Sequence, residues 1–316
     1  MQFRRQMVKV AAAAVVYVSM CAASVAETPP IDEAGNINAQ VVDEQGRFDC
    51  SDTAKQGGLI LCQAPAGAEV KMDGAPVAIA AGNGLAAIGL SRAAPAEVTL
   101  NWSLDGQTGE PVTVAVASRK DIFRELTGLE CDKVDARTEA QKAHAGQSWV
   151  LKVDAFKTLS EAVDEDIAFA KPVTAPFSSP FGPTRHYTGV SAKTGKRCEK
   201  TSVHQGLDMA TPVGTELRAP MGGTVTLADT DLYYEGGAIF LDHGYGLVSV
   251  FMHLSEVDVS PGDIVAAGDR LGATGNTGRT TGPHLHWAVK WQNLTQSSRD
   301  GDFYIDPAIL LELNAF

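Results

Sequence analysis

The segment Thr281-Gly-Pro-His-Leu-His-Trp287 contains two histidines, His284 and His286, that are separated by a single residue. The run from His284 to Trp291 is predicted to form a β-strand. Side chains two residues apart in a strand project from the same face, so both imidazoles are expected to enter one space. This arrangement is typical of a transition-metal site, and it directs the search for further ligands to the rest of the chain.

Two upstream motifs supply the missing ligands. His204-Gln-Gly-Leu-Asp208 contributes a histidine and a carboxylate, and Phe251-Met-His253-Leu254 contributes another histidine. A hydrolytic zinc site needs three protein ligands and one open position for water. We assign the ligands to His204, Asp208 and His286, with Gly206 expected to relax the backbone inside the first motif. The assignment requires the fold to bring two distant segments together.

The histidines at 253 and 284 remain for proton transfer. A metallopeptidase needs a group that takes a proton from water and passes it to the leaving amine, and histidine titrates in the right range. His284 shares a face with His286, so it is expected beside the metal. His253 is expected to end a separate strand, where it could donate to the oxyanion of a tetrahedral intermediate. The spacing does not settle which of the two is the base.

Taken together, these motifs resemble the M23 or LytM-type zinc endopeptidases, which are also called lysostaphin-like. The family carries H-x-x-x-D, a later histidine followed by Leu or Met, and H-x-H. Flanking segments are similar too: Ser179-Pro-Phe-Gly182, Pro212-Val-Gly-Thr215, Ala219-Pro220, Asp242-His-Gly244 and Thr277-Gly-Arg-Thr-Thr-Gly-Pro283. The resemblance covers roughly residues 177–311. A departure is Phe251, where relatives often carry Tyr.

The resemblance implies zinc at His204, Asp208 and His286, with His253 and His284 as catalytic residues. It also implies peptidoglycan stem peptides or cross-bridges as the substrate of a LytM-type antiparallel β-sheet peptidase domain. Two neighbouring residues are interpreted from their local sequence. His243, in a glycine-rich turn, is expected to stabilise that turn by a hydrogen bond, and Arg185, next to an exposed His186, could border the groove.

The whole chain is predicted to be mainly β and to contain five segments. They are a signal peptide (1–26), a flexible tether (27–47), a small β-sandwich-like domain (48–118), a helical and linker segment (119–176) and the peptidase domain (177–316). Six short apolar runs within residues 59–116 are predicted strands. Residues 119–129 and 137–159 are predicted to be helical.

Charge and cysteine usage limit the partners and the compartment. The formal net charge of −12 without a basic stripe argues against nucleic acid. No transmembrane segment is expected once the leader is removed, although Cys21 leaves a less favoured lipid anchor open. The four remaining cysteines allow three pairings, of which Cys50–Cys62 with Cys131–Cys198 is the expected one. A periplasmic protein is therefore predicted, and regulatory protein partners are left open.

Two other functions fit parts of the sequence. A non-catalytic LytM-like module, which binds the cell wall or activates an amidase, would be expected to have lost ligands, whereas all five key residues are present. The segment Val259–Gly268 is similar to a biotinyl or lipoyl carrier. A carrier requires a lysine on an exposed hairpin, and the only lysine after Lys200 is Lys290. The similarity is therefore interpreted as shared β topology.

Overall fold

The computed structural model describes residues 48–313 except 130, 132–135, 137, 193 and 297–300. The predicted signal peptide and tether lie outside the described residues. Within the described part the chain is mainly β, which confirms the fold class expected from the sequence. Neither described helix has the length and apolar character needed to cross a membrane.

The strands are short, and most of them are joined by tight turns. In chain order they are β1 (Asp49–Cys50), β2 (Thr53–Lys55), β3 (Leu59–Gln63), β4 (Glu69–Met72), β5 (Ala75–Ile79), β6 (Leu85–Gly89), β7 (Glu97–Leu104), β8 (Gln107–Thr108), β9 (Val112–Ala117), β10 (Phe123–Leu129), β11 (Phe177–Ser179), β12 (Thr184–Val190), β13 (Arg197–Val203), β14 (Leu207–Met209), β15 (Glu216–Arg218), β16 (Gly223–Leu232), β17 (Gly236–Asp242), β18 (Leu247–Val257), β19 (Ile264–Val265), β20 (Arg270–Thr274), β21 (Leu285–Trp291) and β22 (Phe303–Ile305). The helices are α1 (Glu139–Lys157) and α2 (Pro307–Leu310).

The first nine strands form two sheets, and all six strands predicted in this region are present. One sheet has the order β1-β3-β6, and the other has the order β2-β9-β7-β4-β5 with β8 beside β7. Asp73 and Gly74, with φ of 50° and 83°, make the tight turn predicted between β4 and β5. Both residues occupy the left-handed region that this type of hairpin turn requires.

A large sheet carries the residues of interest. Its main path runs β11-β14-β21-β18-β17-β16-β19, and each described pairing within it is antiparallel. Residues such as Phe240, Phe251 and Trp287 are almost completely buried on its faces. Burial of such aromatic side chains stabilises the fold by about 2 kcal/mol or more each. Burial of these side chains therefore stabilises the strands that carry His253 and His286.

The prediction of a helix at residues 119–129 is wrong, because residues 123–129 form strand β10. This strand pairs in parallel with β12, which pairs antiparallel with β13. Gly128, with φ of 76°, departs from helical geometry, and the pairing with β12 satisfies backbone groups that a helix would satisfy internally. The second predicted helix is present as α1, and Thr138 and Gln141 cap it with reciprocal hydrogen bonds.

Two disulfides cross-link the described chain, and both expected pairings are confirmed. Cys50–Cys62 joins neighbouring strands of the first sheet, whereas Cys131–Cys198 joins the segment before α1 to strand β13. The hydrophobic core is continuous between the first two sheets and the large sheet. The indole N–H of Trp291 in β21 donates to the carbonyl of Ala87 in β6 at 2.9 Å.

Candidate metal centre

Three side chains meet where strands β14 and β21 run side by side. Asp208 lies directly opposite His286 in the register of these strands, and His204 precedes β14. The carboxylate Oδ1 of Asp208 is 3.0 Å from His204 Nε2 and 2.8 Å from His286 Nδ1, and these two nitrogens are 3.2 Å apart. Three donor atoms from two distant segments therefore face one point.

The surroundings hold each of these side chains in place. The Nδ1–H of His204 donates to the carbonyl of Pro180 at 2.7 Å, which leaves Nε2 with its lone pair towards Asp208. A metal-bound histidine commonly has its other ring nitrogen fixed in this way. The second carboxylate oxygen of Asp208 accepts from the guanidinium of Arg185 at 3.1 Å, and Arg185 also donates to Ser179 Oγ at 2.8 Å.

The donor set fits a zinc ion. A tetrahedral ion with bonds of about 2.0–2.1 Å to each donor would separate the donors by about 3.3 Å, close to the observed spacings. Two imidazoles and one carboxylate are a donor combination that zinc favours, and three protein ligands leave one position open. Within the described residues, these are the ones whose donor atoms could surround a single ion.

Electrostatics favours a charged carboxylate at Asp208 and a neutral imidazole at His286. Burial acts to raise the pKa of Asp208, but hydrogen bonds and charge from His204 and His286 lower that pKa far below its ordinary value. Burial lowers the pKa of His286, although the hydrogen bond and charge of Asp208 act in the opposite direction. An ionised carboxylate and neutral histidines are the protonation states in which these groups bind metals.

The remaining two histidines of the motifs line the opposite side of the same space. The Nδ1–H of His284 donates to Gly282 O at 2.8 Å, and its Nε2 is 3.7 Å from Asp208 Oδ1. The Nδ1–H of His253 donates to Thr277 O at 2.9 Å, and the rings of His253 and His284 have centroids 4.8 Å apart. Each ring is thus anchored through Nδ1, which leaves Nε2 of the neutral form able to accept a proton.

The sequence suggested that His253 ends a strand. In the structure, β18 continues past His253 to Val257. The strand instead changes partner here: Met252 is opposite His286 in β21, and Leu254 is opposite Thr274 in β20. His253 has φ of 67°, and its N–H donates to the carbonyl of Glu235 at 2.8 Å. Such irregularities bend a strand and turn a side chain that would otherwise face the wrong side. Burial, followed by the neighbouring histidine charges, lowers the pKa of His253 to about 3.

Gly206 has a different role from the one expected. Its φ is not in the left-handed region, so relaxation of the backbone is not what the position requires. A Cβ atom at this position would lie 2.5 Å from His286 Nε2 and 2.8 Å from the carbonyl of Trp287. The glycine therefore provides space for the imidazole of His286.

The five residues open into a cavity of about 670 Å³. One wall comes from strands β10, β12 and β13, and another comes from loop residues 279–284. Arg185 borders this cavity, as the sequence suggested. The remaining wall residues were not found by motif analysis, because they lie on strands without a recognisable motif, one of them predicted to be a helix, or in the turn between β16 and β17. They include Arg124, Leu126, Tyr187, Lys200, Ser202 and Tyr234.

His243 is completely buried outside this cavity and belongs to a hydrogen-bonded chain. Its Nδ1–H donates to Gly222 O at 2.8 Å, and its Nε2 accepts from the hydroxyl of Ser249 at 2.8 Å. The same hydroxyl oxygen accepts from the indole N–H of Trp287 at 3.1 Å. The side chain of His243 thus bonds to residues outside its own turn, not within the turn as the sequence suggested, and through Ser249 it supports the back of strand β21. His186, expected to be exposed, is half-buried and bonds to Thr201.

Comparison with known proteins agrees with this geometry. Residues 202–298 match the sequence model of Peptidase family M23. This stretch of the chain is therefore similar to peptidase family M23. The crystal structure of a candidate peptidase M23 from Pseudomonas aeruginosa is similar with a TM-score of 0.55 and 26% identity, over 81% of this chain and 94% of that one. The M23 match includes all five motif residues.

Curated relatives have longer chains. The peptidoglycan DD-endopeptidase ShyA of Vibrio cholerae serotype O1 is 37% identical over 196 residues, which cover 60% of this chain and 42% of ShyA. The DD-carboxypeptidase/endopeptidase Mpg of Neisseria meningitidis serogroup B is 35% identical over 108 residues, which cover 33% of this chain and 25% of Mpg. The chain therefore matches less than half the length of either relative.

Proposed function

We propose that this protein is a zinc-dependent endopeptidase that hydrolyses amide bonds in peptidoglycan stem peptides or cross-bridges. The observation that carries the proposal is the convergence of His204, Asp208 and His286 opposite His253 and His284 in one cavity. The names of ShyA and Mpg supply the substrate class, since both are described as endopeptidases and ShyA as acting on peptidoglycan. Two disulfides agree with an exported, periplasmic protein.

In this proposal, His204, Asp208 and His286 hold the zinc ion. When bound, zinc supplies a Lewis acid that lowers the pKa of water and polarises the scissile carbonyl. His253 and His284 each present Nε2 to the cavity, so either can accept the proton of the attacking water and return it to the leaving amine. The other ring can donate a hydrogen bond to the developing oxyanion. Their carbonyl anchors, Thr277 and Gly282, keep both rings in orientation.

The experiment that tests this function is digestion of purified muropeptides by the mature protein. Activity is expected in zinc buffer and is expected to be lost with a chelator and in His284→Ala. Product masses identify the cleaved amide. Equal digestion in all three samples would exclude the proposed mechanism, and absence of digestion in zinc-loaded wild type would favour a wall-binding module without catalysis.

The division between ligands and proton-transfer residues is tested by metal content. His204→Ala is expected to lose bound zinc, because the two remaining ligands, Asp208 and His286, do not provide the three protein donors that a zinc site of this kind needs. His253→Ala is expected to keep zinc and to lose turnover by a factor of about 100 or more. Zinc can be counted by atomic spectroscopy in the same samples used for kinetics. Loss of zinc from both variants would contradict the division.

A further inference from the structure

One wall of the cavity is the face of the sheet β10-β12-β13. Alternate residues of a strand share a face, and the strand registers place them in two rows. The first row is Arg124, Arg185 and Ser202, and the second row is Leu126, Tyr187 and Lys200. All six residues line the cavity. The first row therefore carries two arginines. In the second row, the ring of Tyr187 lies between the apolar Leu126 and the cationic Lys200.

The cavity is more cationic than the chain that forms it. The whole chain carries a formal charge of −12, yet five cationic side chains line the cavity with only two carboxylates. The two carboxylates are already matched: Asp208 accepts from Arg185, and Glu235 pairs with Lys152. The other cationic lining residues are Arg124, Lys200 and Arg279. An anion entering the cavity would therefore meet a positive field focused by the low-dielectric walls.

Arg124 stands out in this wall. It lies directly opposite Arg185 in the register of β10 and β12, where strands are about 5 Å apart. Like charges in this position destabilise a sheet. Arg185 is compensated by Asp208, but the described part of the chain gives Arg124 no carboxylate partner, and its side chain is exposed to the cavity. A bound carboxylate would relieve the repulsion, and guanidinium groups bind carboxylates with two parallel hydrogen bonds.

Lys200 provides a second cation at the other end of the wall. Its ammonium group is 6.0 Å from the ring centre of Tyr234, and the guanidinium of Arg279 is 4.7 Å from the same ring. The ring thus holds two like charges near one another at the rim of the cavity. Tyr187 lies between Leu126 and Lys200 in the register and offers an apolar surface for a peptide.

We propose that this face of β10, β12 and β13 binds the free carboxylates of an anionic peptide substrate, with Arg124 and Lys200 as the contact residues. The inference rests on the proposed function, because the same cavity must hold the scissile peptide. Peptides built from dicarboxylic residues with one carboxyl left free, as in cross-linked stem peptides, have the required chemistry. The wall would select such peptides and place the scissile amide beside the histidines.

The test compares two probes, a cross-linked stem-peptide dimer with free carboxylates and the same dimer with those carboxylates amidated. Wild type is expected to have a KM about tenfold lower for the free dimer. Arg124→Gln and Lys200→Gln are each expected to raise that KM about threefold, to leave kcat within about twofold, and to leave the KM for the amidated dimer unchanged. Arg124→Lys is expected to keep much of the preference, since it keeps the charge. Equal KM values for both dimers in wild type, or equal losses on both dimers in the variants, would overturn the proposal.

Two surface residues offer matched controls. Arg197→Gln removes a cation from β13 at an exposed position outside the cavity, and Lys171→Met removes a lysine that lies 4.7 Å over the ring of Phe177, also outside the cavity. Neither control is expected to change the preference. If either control changed KM as much as Arg124→Gln, the effect would be one of general charge, and the proposal would fail.

Binding to the metal-free protein separates this inference from the proposed function. Calorimetry with chelator-treated protein is expected to show about tenfold tighter binding of the free dimer than of the amidated dimer, independent of turnover. If zinc-loaded wild type cleaved neither dimer while this selective binding persisted, the proposed function would fail and the subsite would stand. If both dimers were cleaved and bound alike, the subsite would fail while the function stood.

Discussion

At the scale of single residues, Gly206 shows how closely the ligands are packed. A methyl group here would lie 2.5 Å from His286 Nε2 and would push that imidazole away from Asp208. Gly206→Ala is therefore predicted to weaken zinc binding by about 10–100-fold, the range seen when residues that orient ligands are changed. Competition with a metal-binding dye measures the affinity directly.

Gly82 provides the control for this change. A Cβ added to Gly82 meets nothing within 4 Å, and its φ is outside the left-handed region. Gly82→Ala is expected to bind zinc like wild type. Unchanged zinc affinity in Gly206→Ala would show that His286 can move without cost, and the proposed role of the glycine would then be wrong.

His243 gives a prediction about pH. Burial lowers the pKa of His243 from its ordinary 6.5 to about 4. The unfolded chain therefore binds a proton between these values while the folded chain does not, so stability is fully present above pH 6.5 and falls as pH drops towards 4. Lowering the pH from 7 to 4.5 is therefore expected to reduce the free energy of unfolding by about 2.5 kcal/mol through this group alone.

Urea unfolding of the metal-free protein at the two pH values measures this loss. His243→Gln is expected to be less stable at pH 7 and to lose about 2.5 kcal/mol less than wild type on acidification. His186→Gln, at a half-buried position outside the hydrogen-bonded chain, serves as the control. If the stability of wild type and of His243→Gln depended on pH identically, His243 would not be the source of the acid-induced loss of stability.

Residue spacing predicted the central part of the site but not its surroundings. His284 and His286 could be assigned to one space because strand side chains alternate, and Asp208 fell opposite His286 as the assignment required. The contact between Arg185 and Asp208 depends on how β12 packs near β14, which no local pattern encodes. The unusual φ of His253 likewise arises from the change of partner strand.

At the scale of elements, the strands with regular apolar patterns were predictable and β10 was not. Residues 119–129 contain several good helix formers, and local propensity decided the prediction. Pairing with β12 outweighs that propensity, since tertiary contacts routinely do so. The error concerns the strand that carries Arg124, so the proposed carboxylate subsite could be recognised only in the folded chain.

Helix α1 is held against the large sheet by an ion pair with limited solvent access. Lys152 of α1 pairs with Glu235, whose side chain is 9% exposed, and the backbone carbonyl of Glu235 accepts from His253. Lys152→Met is predicted to reduce the free energy of unfolding by about 2 kcal/mol, because it leaves a buried carboxylate without its cation. Urea unfolding at neutral pH measures this change.

The exposed pair Lys142–Glu139 on the same helix is the matched control. Lys142→Met is expected to change stability by less than about 0.5 kcal/mol, since exposed pairs contribute little. The double variant Lys152→Met/Glu235→Gln is expected to recover part of the loss. If Lys152→Met and Lys142→Met were equally stable, the buried pair would not hold the helix.

At the scale of the whole molecule, the described residues of the predicted β-sandwich-like, linker and peptidase segments share one core. The sequence suggests separate folding units because composition changes near residues 118 and 177. In the structure, Trp291 of β21 lies against Gly89 of β6, where a Cβ would be only 2.4 Å from the indole ring. Such contacts join residues about 200 positions apart, and no local pattern could have predicted them.

The two disulfides connect this molecule over very different distances along the chain. Cys131 and Cys198 are separated by 67 residues, whereas Cys50 and Cys62 are separated by 12. A cross-link stabilises chiefly by restricting the unfolded chain, by about 4 kcal/mol for the longer loop and about 3 kcal/mol for the shorter one. The longer bridge also fixes β13, the strand that carries Lys200, whereas the shorter one joins strands that are already paired.

Cys131→Ala/Cys198→Ala is therefore predicted to destabilise the protein more than Cys50→Ala/Cys62→Ala, by about 1 kcal/mol in urea unfolding. Only the first pair is expected to raise KM for the dimer with free carboxylates, because β13 would lose its fixed position in the cavity wall. All four cysteine side chains are buried or partly buried, so alanine avoids placing a new polar group in the core. If the short bridge proved the more stabilising, or if both double variants kept the wild-type KM, the longer bridge would not be what holds this wall in place.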